Sequence, residues 1–181
     1  NLTSENYIGM SRGVVFQSES AASTPSLGGA TVFRSGETDD ITSAYDTNSN
    51  KLVVAYIESN VQGAGTAVVG TVSGTSITFG SPVTFESSNI SGNVKMTFDS
   101  SSNKIVIAYR ANNLNGVAIV GTVSGTSISF GSAVTFISSR LEGTTIAFDS
   151  NSNKVVIAYN DYDNGGDGKA VVGTVSGTSI S

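Results

Sequence analysis

Across residues 93–99 apolar and polar positions alternate, with Val94, Met96 and Phe98 on one side and Lys95 and Thr97 on the other. A period of two predicts a strand with one buried face. A Ser-Ser-Ser-Asn-Lys turn follows at 100–104, and residues 105–109 are then apolar at nearly every position. So dense a run over so short a length predicts a strand covered on both faces. Residues 117–123 have the same character. Ser124-Gly125-Thr126 predicts a tight turn in which glycine supplies the positive φ, and residues 128–136 predict a looser fourth strand broken at Gly131.

This pattern recurs. The octapeptide Gly-Thr-Val-Ser-Gly-Thr-Ser-Ile begins at Gly70, Gly121 and Gly173, and each copy trails a block Asp-x-x-Ser-Asn-Lys-(Leu/Ile/Val)-Val-(Val/Ile)-Ala-Tyr that begins at Asp46, Asp99 and Asp149. A repeat of about 51 residues falls in the range of solenoids, propellers and arrays. Four short antiparallel strands, two of them covered on both faces, fit a blade stacked between other blades. The expected fold is therefore all-β, with β-propeller-type tandem repeats, four antiparallel strands per blade and about three blades. The expected segments are an N-terminal capping or linking piece at 1–30 and repeats at 31–82, 83–133 and 134–181. Repeat length varies mainly between the Tyr that ends the second strand and the Gly that opens the octapeptide, so most of the variation falls in hairpin loops, where it costs little.

The chain opens at Asn1 rather than Met and stops at Ser181 as the fourth strand of its last unit begins, which reads as a piece cut from something longer. Ala30-Thr31-Val32-Phe33-Arg34-Ser35 matches the fourth-strand segments Pro82-Val83-Thr84-Phe85-Glu86-Ser87 and Ala133-Val134-Thr135-Phe136-Ile137-Ser138. The incomplete last unit is thus expected to take its fourth strand from the N-terminal segment of another copy or from missing chain, which makes the chain its own first expected partner, as a homo-oligomer or as part of a longer chain closing the propeller.

Composition narrows the function. Net charge is −5, with nine scattered Lys and Arg residues; nucleic acid, which needs a basic patch, is not an expected partner. No apolar run approaches the roughly 18 residues of a membrane span, so no membrane insertion is expected. Histidine and cysteine are both absent. That removes Ser-His-Asp and Cys-His catalysis and His-based zinc sites, leaving only carboxylate chemistry of the kind glycosidases use. No catalytic residue and no cofactor is assigned, and the chain is read as a non-enzyme.

The recurring Asp46, Asp99 and Asp149 are expected to accept hydrogen bonds from the turns that follow them. Tyr56, Tyr109 and Tyr159 end the second strand of each unit; they read as packing residues or as ligand-facing rings on which a sugar could stack. Asn112, Asn113 and Asn164 lie in the variable loops and are further ligand-facing candidates. One loop differs from its counterparts: residues 160–168 carry Asp161, Asp163 and Asp167 with two Asn and three Gly. Alternating acidic oxygens followed by glycines suit calcium, although no Glu follows as in an EF-hand, and a solvated acidic hairpin is the alternative reading.

The segments Phe-Asp-Ser-x-Ser-Asn-Lys-Val-Val-Ile-Ala-Tyr at 148–159, Ala-Val-Val-Gly-Thr-Val-Ser-Gly-Thr-Ser-Ile at 67–77 and Phe-Gly-Ser-Pro-Val-Thr-Phe-Glu-Ser at 79–87 resemble repeats in long virion or tail-fibre-associated proteins of marine tailed bacteriophages. The opening residues 2–9 resemble a segment found beside those repeats. The resemblance implies a structural or adhesion module of a virion that contacts host-surface glycan or other virion proteins. Two rivals stand beside it: a lectin-like carbohydrate-binding propeller, and a fragment of a glycan-degrading depolymerase.

Overall fold

The computed structural model of the protein describes residues 27–59 and 63–181. Most of the N-terminal segment 1–30, including the phage-like residues 2–9, lies outside the described residues. The chain is all-β and its sheets are antiparallel.

The first sheet comprises β1 (Thr38–Asp46), β2 (Lys51–Glu58), β3 (Ala64–Ser73), β4 (Ser76–Phe79) and β5 (Val83–Glu86). Strands β1, β2 and β3 lie side by side, and both β4 and β5 pair with β3. The fourth strand is thus broken in two, with Gly80-Ser81-Pro82 between its halves. The second sheet repeats this with β6 (Gly92–Asp99), β7 (Lys104–Arg110), β8 (Gly116–Ser124), β9 (Ser127–Phe130) and β10 (Val134–Ile137), the break falling at Gly131. The third has β11 (Leu141–Asp149), β12 (Lys154–Asp161) and β13 (Asp167–Gly173), followed by the short hairpin β14 (Val175–Ser176) and β15 (Ser179–Ile180). Hydrogen bonds place β5 and β10 in the sheet that precedes them, so repeat boundaries at 82/83 and 133/134 cut across sheets.

The turn between the first and second strands is built the same way three times. Asp46 Oδ1 accepts from the backbone N–H groups of Asn48 and Ser49, at 2.9 and 3.1 Å, and Asp99 and Asp149 do the same for their own turns. The turn closes on Asn50, Asn103 or Asn153, each with φ between 54° and 56°, a left-handed conformation that Asn tolerates better than most residues.

The sheets stack face to face with the first strands adjacent, β1 beside β6 and β6 beside β11. Val53, Ala55, Ala67 and Val69 of the first sheet bury against Ile105, Ile107, Tyr109 and Ile119 of the second. The opposite face of the second sheet, Val106, Ala108, Ala118 and Val120, buries against Val155, Ile157 and Tyr159 of the third. Strands β2, β3, β7 and β8 are therefore covered on both faces, as their unbroken apolar runs require. In β12 the same kind of sequence alternates between buried and half-buried, and in β13 no residue is buried. Val172, the counterpart of fully buried Val120, is 63% exposed, because no further sheet covers the third among the described residues.

Candidate functional site

Antiparallel strands bring the loop between the second and third strands of each unit to the same end of the stack as the connection into the next unit. Loop variation and junction chemistry therefore meet at one end, and each junction there is different.

At the first junction, β1, Ser59 just after β2 and the connection into β6 line a cleft of about 570 Å³ with polar walls: Asp39, Asp40, Ser59, Asn89 and Ser91, over Ile57. Asp39 accepts from the Ser59 hydroxyl, and Asp40 Oδ2 accepts from the Asn93 backbone N–H at 2.6 Å. Asp40 and Asn93 both have positive φ, 47° and 60°, at corresponding irregularities in β1 and β6. These irregularities bend the strand start outward and aim its side chains at the junction.

At the second junction the corresponding space is filled. Arg110 stands where the first unit has Ile57, and Glu142 where the second has Gly92. The Arg110 guanidinium lies 2.6 Å from Glu142 and donates to the backbone carbonyls of Leu141 and Ser91. Arg140 donates to the same Glu142 oxygen from Nε and Nη2, at 2.9 and 2.8 Å, with its guanidinium 4.3 Å from the centre of the Tyr162 ring. Hydrogen bonding from Arg140, aided by Arg110, holds the Glu142 carboxyl below the usual carboxylate range despite its partial burial.

The acidic loop adjoins this junction. It carries a short 3-10 turn at Tyr162–Asn164 and leaves through Gly165 and Gly166, with φ of 82° and 74°. Two of its three carboxylates have partners of their own. Asp161 is buried, pairs with Lys169 Nζ at 2.7 Å, and accepts from the Ser139 hydroxyl and the Asn164 amide. Those contacts, Lys169 first, bring its carboxyl down to about 2. Asp163 accepts from the Arg140 backbone N–H at 2.8 Å, while Asp167 stands across the β12–β13 ladder from Asp161. No group of three or more acidic side chains among the described residues is placed to hold a metal ion.

The other candidates divide. Asn112 and Asn113 are exposed in the loop between β7 and β8. Asn164 is exposed too, but its amide is taken by Asp161. Tyr56 and Tyr109 are fully buried and Tyr159 is 8% exposed. Each ring packs against an upstream Phe: Phe33, ahead of β1, on Tyr56, Phe85 of β5 on Tyr109 and Phe136 of β10 on Tyr159, with centroids 5.2 to 5.5 Å apart. The tyrosines therefore join units and offer no face to a sugar in solvent. Tyr109 also donates to Glu86 at 3.2 Å.

By sequence alone Asp39-Asp40, with Glu37, is a weaker version of the acidic loop, but neither the first-junction cleft that the pair lines nor the Arg110–Glu142–Arg140 cluster is given by that pattern. A signal for both was present in the residue after each Tyr, which is Ile57, Arg110 and Asn160 in turn: a repeat that holds its strands constant while changing this position changes its junctions.

No protein-family model matches the chain, and no curated protein matches it significantly.

Proposed function

We propose that this chain is an array of propeller-type blades acting as a non-enzymatic structural or adhesion module of a phage particle, associated with the tail or a fibre. The observation that carries the reading is the contrast between constant strands and variable junctions. Turns, ring pairs and glycine contacts recur from unit to unit, while the loop end offers an open acidic cleft, an arginine–glutamate cluster and a Lys169-neutralised loop in succession. A rigid stack that varies only at one end is suited to presenting polar groups to a host surface or a neighbouring virion protein. The phage assignment comes from the resemblance of the repeat segments.

A lectin-like reading is favoured by one observation, the cleft at the first junction, whose carboxylates, hydroxyls and amide are groups that bind sugar hydroxyls. Labelled protein should be titrated onto marine bacterial cells and their purified surface polysaccharides, beside an Asn112→Ala/Asn113→Ala variant and an Asp40→Ala variant. Saturable binding to cells, weakened in the loop variant, supports adhesion. Binding to polysaccharide weakened mainly in Asp40→Ala favours the lectin. Release of reducing ends overturns the non-enzymatic reading, and no binding to cells or polysaccharide overturns adhesion.

A further inference from the structure

We infer that the cleft at the first junction receives a guanidinium group, supplied by an arginine side chain on the surface of a partner protein. The choice of a protein partner rests on the adhesion reading above, which the inference deepens by naming the chemistry that is recognised.

The repeat itself supplies the template. Asp39 and Ile57, Gly92 and Arg110, and Glu142 and Asn160 are matching cross-strand pairs at the irregular start of each sheet, so the two junctions can be compared position by position. At the second, a guanidinium occupies the space. Arg110 bridges the Ser91 carbonyl of its own sheet and the Leu141 carbonyl of the next, and Glu142 neutralises it. At the first, Ile57 stands in place of the arginine, while Ser91 and Gly92 stand in place of Leu141 and Glu142. The chain therefore supplies no cation of its own there. It still supplies the acid, from the opposite wall: Asp39 and Asp40 line the cleft, whose walls hold no Lys or Arg among the described residues. One oxygen of Asp39 accepts from Ser59 and one of Asp40 from the Asn93 backbone, and neither carboxylate forms an ion pair among the described residues.

Size and shape select the ligand. A volume of about 570 Å³ is far beyond the needs of a bare ion and lies in the range of organic-ligand pockets. Ile57, 6% exposed, forms an apolar floor. An arginine can lay its methylene stem on such a floor and keep its charged head on the polar walls. The planar fork offers five donors in fixed directions, which suits two neighbouring carboxylates and a backbone carbonyl; a compact ammonium reaches fewer of them at once. A net charge of −5 also favours the approach of a cationic partner surface.

The probe is N-acetyl-arginine methylamide, titrated into the full chain and read from the backbone amide signals of Ser59, Gly63, Asn89, Ser91 and Gly92. The matching citrulline amide keeps the shape and loses the charge. Saturable shifts are expected with the arginine probe, weaker ones with the lysine amide and none with citrulline. An Asp39→Asn/Asp40→Asn variant, whose amide oxygens can still accept from Ser59 and Asn93, should bind about tenfold more weakly. Ile57→Arg should place a cation in the cleft from within the chain, as Arg110 does, and abolish binding with the β-sheet circular dichroism spectrum unchanged; if that variant does not fold, the Asp variant decides. No shift with the arginine probe, or equal shifts with citrulline, overturns the proposal. Glucosamine that binds more tightly than the arginine probe overturns the protein partner in favour of an amino sugar, and calcium that displaces the probe overturns the organic cation. Probe binding without binding to cells removes only the adhesive function, whereas cell binding without probe binding removes only the guanidinium site.

Discussion

The backbone of Gly80 rests on the carbonyl oxygen of Thr126 in the following unit, leaving no room for a Cβ. Gly131 meets Thr178 in the same way, and Gly28 meets Thr75. The break in each fourth strand is therefore a point of contact between sheets: it presses the strand onto the tight turn of the next octapeptide, and only glycine allows the approach.

Gly80→Ala and Gly131→Ala should each destabilise the fold by about 1–3 kcal/mol, the cost of forcing an atom into a packed contact. Gly29→Ala should be neutral, because nothing lies within 4 Å of its added Cβ and its φ is not positive. Urea unfolding of the three variants checks this, and a Gly80→Ala midpoint equal to that of the parent would show that the sheets do not meet at this turn.

Phe85 is 8% exposed and touches both Tyr109 and Phe130. Phe85→Ala should cost about 3–5 kcal/mol. Phe148→Ala should cost less, since that ring is only partly buried at the edge of its cluster. Thermal melts of the two variants give the order, and a larger loss for Phe148→Ala would mean that the inward faces have been assigned to the wrong strands.

Much of the fold was legible because its signals are local. The Asp-x-x-Ser-Asn-Lys turn carries its own hydrogen bonds, and the break at Gly131 shows as a glycine inside a strand pattern. Burial on both faces was legible from the apolar runs of β7 and β8, but the run in β12 is equally apolar and half-covered, because covering depends on what stacks next and not on the strand itself. The tyrosines left the packing and ligand-facing readings both open for a related reason. Each partner Phe lies 23 or 24 residues upstream, Phe85 and Phe136 in the sheet before and Phe33 ahead of the first strand, so a Tyr at a strand end gives no sign of which way it faces. In the loop 160–168 the acids were countable, but Ser139 and the Arg140 backbone approach from an earlier connection, and Lys169 sits just past the segment that resembled a calcium loop.

Acid should destabilise the protein over a defined window. Asp161 falls to about 2 from an ordinary value of about 3.9, and hydrogen bonds also lower Asp99, Glu86, Glu142 and Asp149. A carboxyl lowered on folding stabilises above its unfolded value and stops doing so as pH falls through the folded one. The melting temperature should thus hold near neutrality and drop between about pH 4 and 2, with a shallower drop in Asp161→Asn. At the alkaline end the sign reverses. Burial, then Glu86, raises Tyr109, and hydrogen bonding to Asp161 raises Lys169, so stability should fall above about pH 10, where the unfolded groups lose protons that the folded ones keep. Melts across pH check both limbs; a Tyr109→Phe profile as steep as the parent's at high pH would remove Tyr109 as a cause.

Calcium should leave the melting temperature unchanged. The place a cation would take beside Asp161 is occupied by the Lys169 ammonium at 2.7 Å, Asp163 is held by the Arg140 backbone, and Asp167 lies across the strand ladder from Asp161. A calcium site needs six to eight oxygens converging on one point, and Asp161 and Asp163 are each already held by partners of their own. Lys169→Met should lower the melting temperature by leaving a buried carboxylate without its partner, and calcium should not restore it, because Asp163 cannot join Asp161 without giving up the Arg140 backbone N–H. Melts of the parent and of Lys169→Met, each with calcium and with chelator, decide the matter. A calcium-dependent rise in the parent would show that the loop rearranges around the ion, and a rise in Lys169→Met alone would show that the ammonium was the only obstacle.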